Sequence, residues 1–213
     1  MNDKIPKQIL IILALAVILN IARVVLFDST YFFFILWNIF LAILPFVISA
    51  ILLYYASKQK LSKLFFIIIG IFWLLLIPNA PYLLTDLIHI SSRHGAPVLY
   101  DAFLLFSSAY IGLLLGLYSI WHIEQITIMK YGKRIASIKI PVIIFIISIG
   151  VYIGRYLRFN SWDIFVNHSL LGDTLNALSR PTHQNEAVIF IFSCFLVLYM
   201  SYRAWKYNQN NMI

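Results

Sequence analysis

ILIILALAVILNIARVVLF, residues 9–27, contains only Asn20 and Arg23 as strongly polar side chains. At 1.5 Å rise per residue this run makes a helix of about 28 Å, close to the thickness of bilayer hydrocarbon. Lys4 and Lys7 stand before it, as basic residues do before a secretory signal. Its apolar length argues for an uncleaved span instead. The only Ala-x-Ala, Ala14 to Ala16, lies in mid-run, where cleavage would leave a very short apolar core.

Working outward, the same pattern recurs five more times. Apolar runs cover approximately 31–55, 64–84, 98–121, 140–156 and 187–205, with the first at 8–27. Six spans of about 20 residues use most of 213 positions, so a single integral membrane domain over 1–213 is expected. Composition agrees: 62% of the chain is hydrophobic, 11% is charged, and mean hydropathy is +0.89. These values exclude a disordered chain and speak against a soluble domain. The expected fold is an all-α polytopic membrane helix bundle.

Charge follows the spans. The formal charge is +8, but its distribution fits membrane orientation rather than a nucleic-acid surface, and no nucleic-acid partner is expected. Lys4, Lys7, Lys58, Lys60, Lys63, Lys130, Lys133, Arg134, Lys139, Arg203 and Lys206 all fall in alternate connections or at the two termini. The intervening connections hold Arg93, Arg155, Arg158 and Arg180, with Arg23 at the end of the first run, and no lysine. By the positive-inside rule both termini are cytoplasmic, which an even number of spans satisfies. Six of the eight acids and four of the five histidines then gather at the outer side. Any site is expected to face outward. Cys194 is the only cysteine, so neither an intrachain disulfide nor a cysteine metal cage can form.

Two segments depart from simple spans. Ile77-Pro78-Asn79-Ala80-Pro81-Tyr82 carries two prolines three apart, which remove two amide donors and must break or kink the third helix. Just beyond, Asp86, His89 and Arg93 fall within an arc of about 60° if helical, giving a polar face near the outer interface. The long connection after residue 154 shows Leu171, Leu175 and Leu178 at helical spacing, with Ser161 as a cap and Arg180-Pro181 as a stop. A short helix lying in the membrane interface is expected there.

The ionisable groups in or beside spans are Arg23, Asp101, Arg155 and Arg158, all near outer helix ends. Charges within spans are costly and usually pair or line a cavity. Asp101 with an arginine is the first pair to examine, and Asp86 and Asp101 are expected near Arg155 or Arg158. The two arginines project to one side of the fifth helix, where their planar forks suit a phosphate or carboxylate. They fit an internal ion-pair network, an anionic ligand or a lipid headgroup. Asn160, Asp163 and Asn79 extend this candidate ligand-binding set, although Asn20, Asn38 and Asn79 also suit hydrogen bonds between helices. Asp86, His89 and Asp101 are the candidate acid/base residues. Metal ligation by Asp86 and His89, completed from His94, Asp101, Asp163 and His168, lacks any local motif, so no metal residue is assigned. No cofactor follows from the sequence.

Pro78-Asn79-Ala80-Pro81-Tyr82-Leu83-Leu84-Thr85-Asp86-Leu87-Ile88-His89, Tyr100-Asp101 and the run from Gly154 through Arg155, Arg158 and Asn160 to Asp163 form a recognisable set, as do Trp37-Asn38, Leu41-Ala42 and Pro45. The sequence resembles the bacterial integral membrane proteins catalogued as domain of unknown function 1361, nearly end to end. That resemblance implies a multi-pass protein of the bacterial cell membrane and brings no activity with it. Three functional readings stand. The first is an outward-facing site that binds or processes an anionic envelope component, such as an anionic lipid or small molecule. The second is a non-catalytic membrane partner or assembly factor. The third is a small-solute transporter subunit, disfavoured because mid-span positions lack ionisable groups.

Overall fold

In the computed structural model the described residues are 7–58, 62–90, 95–156, 158, 172 and 181–211. Their regular structure is all helical, in the order α1 Lys7–Phe27, α2 Phe33–Ser57, α3 Lys63–Leu76, α4 Asn79–Thr85, a 3-10 turn Asp86–His89, α5 Val98–Tyr131, α6 Lys133–Tyr156 and α7 Pro181–Asn211. Six helical stretches are long and apolar enough to cross a membrane, with α3, α4 and the 3-10 turn forming the third. The chain is an all-α, multi-pass membrane protein whose lipid-facing helix sides carry large exposed apolar residues such as Ile11, Ile18, Phe72 and Ile189. The expected interfacial helix, with Asn160 and Asp163, lies outside the described residues, as do Arg93, His94 and His168.

The third span breaks where its prolines require. α3 ends at Leu76 and α4 begins at Asn79. The Asn79 side chain then donates 2.8 Å to the Leu76 carbonyl. That amide satisfies backbone that the break would otherwise leave exposed to hydrocarbon. Two glycines accept the broken segment at close range. A Cβ on Gly112 of α5 would stand 2.5 Å from the Ala80 carbonyl oxygen, and one on Gly150 of α6 would stand 2.5 Å from Pro78 Cγ. Gly112 and Gly116 form a Gly-x-x-x-Gly face, which lets helix backbones approach closely in a membrane.

α5 is the spine of the bundle. Its packing partners include α1, α2, α4, α6 and α7, and α1 rests mainly on α5 rather than on its sequence neighbour α2. With 34 residues it is about 51 Å long, well beyond the hydrocarbon thickness. It continues ten residues past the expected end at 121, and His122 and Glu124, which lie beyond that expected end, are buried at helix contacts. α6 likewise starts at Lys133, seven residues before the expected 140. Only Gly132 separates the two helices, with φ at +84°, a left-handed value that favours glycine. The bundle has an arginine end, with Arg23, Arg155 and Arg158, and a lysine end, with Lys58, Lys130, Lys133 and Lys206.

Candidate functional site

At the arginine end the spans bring their ionisable side chains together in two separate pairs. Asp101, in the first turn of α5, receives Arg23 Nε on Oδ1 at 2.7 Å and Arg23 Nη2 on Oδ2 at 3.2 Å. Both side chains are fully enclosed, at 0% and 1% exposure. The remaining Arg23 donor, Nη1, reaches the Ser29 carbonyl and hydroxyl, and the guanidinium lies 4.6 Å over the Phe32 ring. Asp101 therefore pairs with Arg23 rather than with Arg155 or Arg158, because α1 docks on α5 with these residues at the same height.

The second pair is built by the segment after the proline break. Asp86 and His89 stand three apart on a 3-10 turn, where such residues eclipse one another. Asp86 is buried, accepts Asn38 Nδ2 on Oδ2 at 2.9 Å, and meets Arg155 Nη1 on Oδ1 at 3.4 Å. Arg155 Nη2 lies 3.4 Å from His89 Nε2, and its guanidinium is 6.0 Å from the Tyr82 ring centroid. Since a guanidinium only donates, His89 Nε2 is the acceptor in that contact. Asp86 and Asn38 are thus behind Arg155 and fix its direction. The Asn38 bond crosses from α2, matching the expectation of an interhelical amide.

In front of Arg155 lies a cavity of about 900 Å³ between α4, the 3-10 turn, α6 and α7. Its mouth at the arginine end is lined by His89, Arg155, Arg158 and Thr85. Its inner part is lined by Pro81, Val151, Val197 and Leu198, with Cys194 beside them, while Phe190 stands nearer the mouth against Tyr156. Arg158 is exposed and makes no ion pair among the described residues. Its backbone sits at φ +56°, a left-handed conformation disfavoured for a residue with a Cβ. Of the expected set, the cavity brings together His89, Arg155 and Arg158. Asp86 stands behind it, Asp101 is committed elsewhere, and Asn79 is spent on the helix break. Among the described residues no three His, Cys, Asp or Glu side chains gather closely enough to hold a metal ion.

Two polar clusters nearer the lysine end were not singled out from sequence. Trp73 Nε1 donates 2.7 Å to Ser119 Oγ, which lies 3.0 Å from both the Pro45 carbonyl and Ser49 Oγ. Ser49 Oγ in turn is 2.9 Å from His122 Nδ1. Glu124, 5% exposed, accepts Tyr202 Oη and Lys206 Nζ, each at 2.6 Å. The available signal was spacing. Tyr202 and Lys206 are four apart on one face of α7, and Ser119 and His122 are three apart on α5.

No curated protein and no solved structure matches the chain. A family model described as "Protein of unknown function (DUF1361)" matches residues 37–200, from within α2 through most of α7, and takes in Asp86, Asp101, Arg155 and Arg158. By that match the chain belongs to the DUF1361 family.

Proposed function

We propose that this protein, in a bacterial cell membrane, binds an anionic component of the envelope at its outward-facing arginine end. The observation that carries the reading is Arg155. It is held from behind by buried Asp86, itself anchored by Asn38, and presented at the mouth of a cavity of about 900 Å³ beside Arg158. A guanidinium fixed in this way loses little conformational freedom on binding and offers a planar donor fork suited to phosphate or carboxylate. Asp86 compensates one positive charge, so Arg158 supplies the net charge at the mouth.

Binding is supported better than catalysis. Of the three candidate acid/base groups only His89 lines the cavity, while Asp86 and Asp101 are turned away into ion pairs. Titration of purified protein with inorganic phosphate, followed as a thermal shift, tests the reading. Saturation to 100 Kd stabilises the folded state by about 2.7 kcal/mol if the site exists. Arg155→Lys, which keeps charge but loses the fork, is expected to weaken binding about tenfold at normal membrane abundance. Identical thermal shifts for wild type and for a variant combining Arg155→Lys and Arg158→Ala would reject it.

A further inference from the structure

We propose that the occupant of this cavity is a phosphate-headed lipid, with its headgroup at Arg155 and Arg158 and an acyl chain running inward between α4 and α7, along α6. The inference rests on the anion-binding reading above and adds the chemistry of the rest of the molecule. The cavity is graded along its depth. On α6 the lining runs from Arg155 near the mouth, with Arg158 just past the helix end, to Val151, which is about 6 Å deeper than Arg155 at 1.5 Å per residue. On α7 it runs from Phe190 to Leu198, about 12 Å along the helix axis, passing Ser193, Cys194 and Val197. On the third side Pro81 lies deepest and His89 nearest the mouth.

A small hydrophilic anion would use only the mouth and leave the apolar foot in contact with water or empty. An amphiphile with phosphate at one end and an apolar chain at the other matches both parts. Lipid in the surrounding leaflet already supplies an apolar environment for its tail. Selectivity over bulk lipid must therefore come chiefly from the arginines. Ile88 on the 3-10 turn and Val197 on α7 both line the cavity and are exposed, so its open side carries apolar residues suited to lipid contact. The seam is thus reached from the bilayer without passage through water.

The test uses the full chain in nanodiscs of phosphatidylcholine containing phosphatidylglycerol, with bound lipid read by native mass spectrometry and inorganic phosphate titrated in parallel. Phosphatidylglycerol is expected to be retained about tenfold over phosphatidylcholine. Arg158→Ala, which removes an exposed cation, should reduce that preference severalfold. Val197→Trp, which fills the foot, should lower lipid retention more than phosphate binding. Phosphate binding without preferential lipid retention would overturn the lipid proposal and leave the anion site standing. Failure of both ligands would overturn both readings. Equal phosphatidylglycerol retention by wild type and Arg158→Ala in an Arg155→Lys background would place the lipid elsewhere and overturn the proposal.

Discussion

Asp101→Asn is expected to damage the scaffold of this protein. The substitution keeps the shape of the side chain but removes the charge that meets Arg23 at 2.7 and 3.2 Å, so a guanidinium that is 1% exposed loses the carboxylate that holds two of its nitrogens. Breaking a buried pair from one side costs about 3–5 kcal/mol. The asparagine oxygen can still accept one bond from Nε, and Nη1 keeps Ser29, so about 3 kcal/mol is expected, a shift of roughly a hundredfold in the folding equilibrium. Combining Arg23→Met with Asp101→Leu removes both charges and should recover most of that loss. About 1–2 kcal/mol should remain because Ser29 loses its donor. Equilibrium unfolding in mixed micelles gives the free energies, and membrane abundance gives the cellular readout. Asp101→Asn within about 0.5 kcal/mol of wild type, or a double variant worse than both single ones, would refute the reasoning.

Other outcomes follow from the packing. Gly112→Ala should destabilise by about 1–3 kcal/mol because its Cβ meets the Ala80 carbonyl at 2.5 Å, whereas Gly116→Ala, whose nearest neighbour is at 3.4 Å, should be near neutral in the same melts. Tyr202→Phe removes one of two donors to buried Glu124 and is expected to cost about 1–3 kcal/mol, with a smaller loss when Glu124→Gln is already present. In a Cys194→Ser background, a cysteine at Ser57 should label only from the cytoplasmic side and one at Ile90 only from outside; the reverse pattern would invert the topology.

Much of the architecture was legible because it depends on local composition. Apolar run length identified six spans, and Pro78 and Pro81 located the break, since missing amides act wherever the surrounding helix packs. The ends of α5 and α6 were not legible. His122 and Glu124 look like connection residues until Ser49, Tyr202 and Lys206 arrive from other helices to satisfy them. Partner assignment held for Asp86, which meets Arg155, and failed for Asp101 for the same reason. Charge cost alone says that Asp101 needs an arginine, but the choice of Arg23 depends on helix rotation and docking order, which periodicity does not encode. The Gly112 and Gly116 spacing was a readable sign of close helix approach, and it marks the face of α5 that receives α4.

The distance in sequence between α1 and α5 also sets a timetable for biogenesis. Arg23 and Asp101 are 78 positions apart. At a synthesis rate of roughly 5–20 residues per second, the first helix waits about 4–16 s before its counter-ion leaves the ribosome. During that interval Arg23 sits about 6 Å from the end of its helix, near enough for the side chain to remain hydrated at the membrane surface. Arrival of α5 then draws the arginine out of water and fixes α1 against the spine. Chains truncated before Asp101 are therefore expected to insert without this closure, which makes the buried pair a late checkpoint in assembly.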